Sequence, residues 1–430
     1  MKYYSLNHNS KSTLFHDAVI RGLAPDRGLY FPEKIPQLPK SFFDDIENMS
    51  IPEMAYKVIK PYVGNQILKE KLMEIVSETL DFNFPIIEIT ENIAALELFQ
   101  GPTLAFKDVG ARFMARSLGY LNKDSNENIT VLVATSGDTG GAVANGFLGV
   151  KGVNVVILYP KDKISDIQEK QLTTLKQNIT ALEVDGVFDD CQEMVKTAFL
   201  DASLSTVNLT SANSINVARW LPQMFYYFIA YRALKNKNKR LVFSVPSGNF
   251  GNICAGIMGQ KMGLPIDHFI ASTNVNDSVP RYLETGTYDP QPTIPTLSNA
   301  MDVGNPSNFI RIQKIFNNDV VKMKKVLSGF RFTDQETKKA LKEIYDLKNY
   351  VADPHGAVGY LGLKEYLAER KESHYGIFLE TAHPVKFLDT VKNTLKIEVD
   401  IPERLKDTLS KDKVSIPIKD YSDLKAFLLN

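Results

Sequence analysis

The stretch LVFSVPSGNFGNICAGIMGQKMG, residues 241–263, holds a complete strand–turn–helix unit. LVFSV (241–245) is β-branched and apolar, which suits a strand buried on both faces of a parallel sheet. PSGNFGN (246–252) follows at once, and the apolar helix candidate 250–262 grows out of it. Small residues let the backbone curl closely, so that several N–H groups and the positive end of the helix converge on one point. A phosphate is held in this way. The turn matches neither G-x-x-x-x-G-K-[ST] nor G-x-G-x-x-G, so a nucleoside triphosphate or dinucleotide is not its obvious guest. By itself it reads equally well as a tight connection that needs glycine for backbone reasons.

Outward from this unit the same alternation recurs. VLVA (131–134), VNVVILY (153–159), ITALEV (179–184) and HFIAS (268–272) read as further buried strands. Helix candidates lie at 107–122, 141–150, 165–176 (opened by Ser165), 189–200 and 214–234. Strand, turn and helix in repetition predict an α/β fold with parallel sheets covered on both faces, whose ligands sit beyond the carboxyl ends of the strands. Residues 1–88 differ: they are irregular around Pro32, Pro36 and Pro39, then helix-like from 52 to 80, and form a separate N-terminal unit. From about 310 the chain is rich in helix and lysine, with a short strand near 376–379.

Two more segments stand where a ligand is expected. TSGDTGG (135–141) again joins a strand to a helix, and its hydroxyls and amides can clasp a carboxylate. Asp138 is out of place there, because a carboxylate repels an anion. A hydroxyl or protonated nitrogen is the better partner, and Ser136 or Asp138 as a plain helix cap is the simpler reading. In ELFQGPTLAFKDVGARFMAR (97–116), Lys107 follows Leu104, Ala105 and Phe106. Desolvation lowers a lysine pKa and exposes a nucleophilic amine. Arg112 and Arg116 are i,i+4 neighbours that together suit an anion, whereas a helix with its charges in water explains them as simply.

The 430 residues call for two or three lobes, and 44% apolar with 23% charged residues is ordinary for a globular chain. Fifty basic and fifty acidic side chains balance, so neither a nucleic-acid surface nor an anionic membrane is indicated. Cys191 and Cys254 are far apart and form no metal or disulfide pattern, so no metal is expected. MKYYSLNHNSKS carries no secretory pattern, and the longest apolar runs are too short for a bilayer, so the cytoplasm is the expected location.

PTLAFKD, TSGDTG and SGNFGN, in that order, resemble the tryptophan-synthase-β-like (fold type II) pyridoxal-phosphate enzymes. GLAPDRGLYFPEKIP (22–36), SANSINVARW (211–220), STNVNDSVPRYLETG (272–286), TLSNAMDVGNPSNF (296–309), DPHGAVGY (353–360) and ETAHPVKF (380–387) narrow the resemblance to the threonine synthases, nearly end to end. It implies two open parallel-sheet α/β lobes with the cofactor in the cleft, plus the small N-terminal domain. The boundaries expected are 1–88, 89–235 (with Lys107 and the TSGDTG loop) and 236–430 (with the cofactor phosphate loop). It also implies a lyase that converts O-phospho-L-homoserine and water to L-threonine and phosphate, by γ-elimination and β-addition of water. That is the last step of threonine biosynthesis.

On this resemblance Lys107 would carry pyridoxal 5'-phosphate as a Schiff base and shuttle protons, beside Phe106. Gly248, Asn249, Phe250, Gly251 and Asn252 would cradle the cofactor phosphate. Asp138 would lie close to the ring hydroxyl, and Thr381 would hydrogen-bond the pyridine nitrogen. Thr135, Ser136, Gly137 and Thr139 would hold the substrate carboxylate. Arg112, Ser211, Asn213, Ser214 and Arg219 would hold the substrate phosphate. Gln100 stands where the family has histidine and Val109 where an aromatic is common, while His355 and His383 read as structural. The same motifs would serve a phospho-lyase releasing a keto acid and ammonia. A dehydratase of free serine or threonine, or a catalytically dead relative acting as a binding protein, fits them less well. Nothing in the sequence chooses between a monomer and a dimer.

Overall fold

The computed structural model describes residues 1–430 except 126, 369 and 371–373. The N-terminal unit carries β1 (Lys2–Ser5), β2 (Thr13–Leu14) and β3 (Tyr30–Pro32), an antiparallel sheet of order β2-β1-β3. A hairpin follows, β4 (Ile86–Thr90) and β5 (Ile93–Glu97). Next come β6 (Ile129–Ala134), β7 (Val153–Pro160), β8 (Ile179–Val184) and β9 (Asn208–Ser211). The chain continues through β10 (Arg240–Pro246), β11 (His268–Thr273), β12 (Leu327–Arg331) and β13 (His374–Glu380) to a last strand, β14 (Ile416–Ile418).

These strands build two sheets. One has the order β14-β8-β7-β6-β9 and is parallel throughout. The other has the order β12-β11-β10-β13-β5-β4 and is parallel except for the β4–β5 hairpin. The expected strands fall inside β6, β7, β8, β10 and β11, and every residue of β11 is buried, as a strand covered on both faces must be. Ser165 caps the helix Asp166–Thr173 in a capping box with Gln168. The helix expected over 214–234 is instead three pieces, Val217–Trp220, a 3-10 turn Leu221–Met224 and Phe225–Leu234. Pro222 lacks the N–H that a continuous helix needs there.

Chain order and lobe do not coincide, which departs from the boundaries 89–235 and 236–430. β5 pairs with β13, Ile93–Glu97 lying beside Gly376–Glu380, so residues 86–97 belong to the sheet of the larger lobe. At the other end β14 pairs with β8, and the helices Glu403–Leu409 and Tyr421–Leu429 pack on the smaller lobe. Lys413 seals that return with an ion pair to Glu169 at 2.7 Å. The N-terminal unit is fixed through Phe31, which stacks on the buried Trp220, and through Arg311, which lies over the same indole and donates to the Tyr30 carbonyl. No helix among the described residues is long and apolar enough to cross a membrane.

Candidate active site

The loops after β5, β6, β9, β10 and β13 converge on one cavity of about 620 Å³. Lys107 enters it from the loop after β5. Segment 104–107 is stitched to the end of β13: the Phe106 N–H donates to the Thr381 carbonyl, Ala105 bridges Ala382, and the Tyr226 hydroxyl donates to the Phe106 carbonyl. The lysine is part-buried and lines the cavity. Burial therefore lowers its pKa to about 8; Asp138 opposes the shift, and Lys386 and Arg219 add to it. At neutral pH roughly a tenth of the amine is uncharged. Capture of pyridoxal phosphate by cofactor-free protein, measured as borohydride-reducible label on Lys107, should rise about tenfold per pH unit below pH 8 and level off above it. A rate flat between pH 6 and 9 would contradict this environment.

The turn after β10 has the shape a phosphate requires. Phe250 is left-handed at φ 60°, and the helix Gly251–Lys261 starts beyond it with its first N–H groups free of helical acceptors. A Cβ on Gly248 would lie 2.7 Å from Met301 Cα and 2.8 Å from the Ala300 carbonyl oxygen, so only glycine fits. The side chains of Asn249 and Asn252 build the turn: Asn249 donates to Ser214 Oγ and accepts from the Ser307 N–H, and Asn252 donates to the Pro246 carbonyl. A desolvated amine, a backbone cradle and the Thr381 hydroxyl at the end of β13 share one cavity, and this set fits pyridoxal phosphate.

Across the cleft, Thr135 is turned inward. Its Oγ accepts from the N–H groups of Gly137 and Gly140 and donates to the Gly137 carbonyl, so it shapes the turn and has no capacity left for a substrate. Ser136 and Thr139 face the cavity. Gly137, at φ 134°, packs against the Gln168 amide. Asp138 is buried and is not among the residues that line the cavity. Its Oδ1 accepts from Lys386 Nζ at 2.8 Å and Gln168 Nε2 at 3.0 Å, and Lys386 holds its pKa well below the usual carboxylate range against the cost of burial.

Of the five residues expected at the substrate phosphate, the structure brings three to the cavity: Asn213, Ser214 and Arg219. Arg219 donates to the Lys107 carbonyl, its buried Nε has no partner among the described residues, and burial lowers its pKa to about 10. Ser211 lies behind, where its hydroxyl accepts from the Asn213 N–H. Arg112 does not take part. Five residues beyond Lys107 it faces another side of the helix, about 140° away. It donates to the Glu78 carbonyl and pairs with Asp81 at 2.8 Å, while Arg116 pairs with Glu78. Arg112→Ala should therefore cost about 1–3 kcal/mol of stability and leave the KM for the expected substrate unchanged; a large rise in KM with unaltered melting would reverse the assignment.

Gln100 also points elsewhere, donating to Glu97 Oε2 at 2.6 Å. His383 caps the 3-10 turn Pro384–Phe387, with burial lowering its pKa to about 4. His355 lines the cavity with both nitrogens engaged: Nδ1 lies 2.5 Å from Asp353, and Nε2 accepts from the Ala300 N–H, which holds the loop beside Gly248. Three features escaped the sequence reading. Lys386 lies in ETAHPVKF but acquires meaning only beside Asp138. Arg311, fully buried, anchors Ser214 by its carbonyl. The loop 293–307 closes one wall with Asn299, Met301 and Ser307.

Comparison with known proteins identifies the family. Residues 88–378 match the family described as pyridoxal-phosphate dependent enzyme, residues 2–80 the threonine synthase N terminus, and residues 356–428 the threonine synthase C-terminal region. The chain is 44% identical over 433 residues to a threonine synthase of Buchnera aphidicola subsp. Acyrthosiphon pisum, and 41% identical over 434 residues to that of Escherichia coli K12. The alignment covers 100% of both chains in each case. Among solved structures, threonine synthase from Escherichia coli superimposes with a TM-score of 0.93 at 40% identity, covering 100% of both chains. Pyridoxal-phosphate-bound threonine synthase from Brucella melitensis gives 0.93 at 33% identity, covering 100% of this chain and 98% of that one. The chain belongs to the threonine synthase family of pyridoxal-phosphate-dependent enzymes.

Proposed function

We propose that the chain converts O-phospho-L-homoserine and water to L-threonine and phosphate, with the site residues acting as follows. The observation that carries the reading is the position of one desolvated lysine between separate anion-binding groups in a single cavity. Gly248, Asn249, Phe250 and Gly251 would hold the cofactor phosphate by backbone N–H groups, and Thr381 would face the ring nitrogen. Bound pyridoxal phosphate supplies an electron sink for the substrate's α-amino carbon. Ser136 and Thr139 would clasp the substrate carboxylate, while Asn213, Ser214 and Arg219 grip its phosphate at the far end.

Held at both ends, the substrate presents Cα, Cβ and Cγ to Lys107 Nζ. That amine, uncharged part of the time near neutrality, would remove the Cα proton and then a Cβ proton as the phosphate leaves, and would return protons to Cγ and, once water has added at Cβ, to Cα. Arg219 takes up the charge of the phosphate as its bond to Cγ breaks. Water then adds at Cβ, and the walls from the two lobes keep solvent out before that point. We infer a cytoplasmic enzyme, a setting that the two free, buried cysteines suit.

The test is product analysis with O-phospho-L-homoserine. Threonine and phosphate should appear in equal amounts; a keto acid and ammonia in place of threonine would identify a phospho-lyase and overturn the reading.

A further inference from the structure

We propose that Lys386 is the positioning residue that makes the 135–140 turn a carboxylate site, by cancelling the charge of Asp138 within it. The turn poses an electrostatic problem. Ser136 and Thr139 face the cavity, yet Asp138 lies between them and is buried. A bare carboxylate there would repel the substrate carboxylate at short range, in surroundings that screen poorly. The structure places an ammonium against it: Lys386 Nζ lies 2.8 Å from Asp138 Oδ1, with side-chain exposures of 0% and 4%. Gln168 Nε2 donates to the same oxygen at 3.0 Å.

Lys386 reaches this point from the other lobe, in the 3-10 turn Pro384–Phe387 just after Thr381. It does not line the cavity, so it acts through Asp138. The other charged group felt by Asp138 is Lys107, which the reading above commits to the cofactor. Only Lys386 is left to neutralise Asp138. Asp138 in turn keeps the buried ammonium satisfied, and the pair joins the two lobes.

The inference rests on Ser136 and Thr139 as carboxylate donors, and the experiment separates the two. L-Threonine is titrated into the holoenzyme, and its Kd is read from the change in the cofactor absorption band. Lys386→Met should weaken L-threonine roughly tenfold or more, and Lys386→Arg should stay near the parent. Combining Lys386→Met with Asp138→Asn should restore the Kd to within about threefold of the parent. A pair that merely ties the lobes together predicts no such rescue. Should Lys386→Met fail to fold, Asp138→Asn and the double variant bury no unpaired carboxylate and carry the test. Asp138→Asn, left with an uncancelled ammonium, should then bind L-threonine more tightly than the double variant.

Parent-like affinity in Lys386→Met, a double variant as weak as the single, or equal affinity in that last pair overturns the inference alone. Parent-like affinity in both Thr139→Val and Lys386→Met overturns the carboxylate clasp, and this inference with it.

Discussion

Lys107→Ala is expected to lower threonine formation by roughly 10³-fold or more while the fold survives. Among the described residues the cavity is lined by two lysines, Lys107 and the exposed Lys163, and the Lys107 amine is the proton carrier of the proposed mechanism. Its removal deletes no hydrogen bond on which the backbone depends, because segment 104–107 is held by main-chain bonds to Thr381 and Ala382. Melting should therefore change little. Borohydride treatment of the parent with pyridoxal phosphate should label Lys107, and the variant should stay unlabelled. Substantial turnover by the variant, or label on another lysine, would displace Lys107 from the centre of the reaction.

Gly248→Val should produce the second largest effect, through a different route. The new Cβ would meet Met301 Cα at 2.7 Å and the Ala300 carbonyl oxygen at 2.8 Å, both backbone atoms that cannot swing aside. Strain of roughly 1–3 kcal/mol follows. It must appear either as a lower Tm or, if the turn opens to relieve it, as a cofactor Kd weaker by about five- to 150-fold. Melting of the cofactor-free protein together with absorbance titration of pyridoxal phosphate measures both. Parent-like values for the two would mean that the turn is looser than its contacts imply.

How far the sequence could be read followed from how local each signal was. β6, β7, β8, β10 and β11 were legible because a strand covered on both faces must be a continuous apolar run bounded by turns. β9 (NLTS), β12 (LSGFR) and β14 (IPI) are polar, interrupted by glycine or carry proline, and tertiary pairing alone makes them strands. The phosphate turn and the lysine were visible for the same local reason. Arg112 misled because residue type tells nothing of which helix face meets the cleft. Asp138 was recognised as an anomaly, yet its explanation lies 248 residues away at Lys386, a distance that no motif spans.

The interleaving of the two sheets has a consequence for synthesis. β5 waits for β13, and the outer edge of β8 waits for β14, so neither lobe can close while the nascent chain is still on the ribosome. Until the last residues emerge, unpaired strand edges stay open to aggregation and to chaperones. Premature termination even a few dozen residues from the end should therefore yield insoluble product rather than a smaller working enzyme.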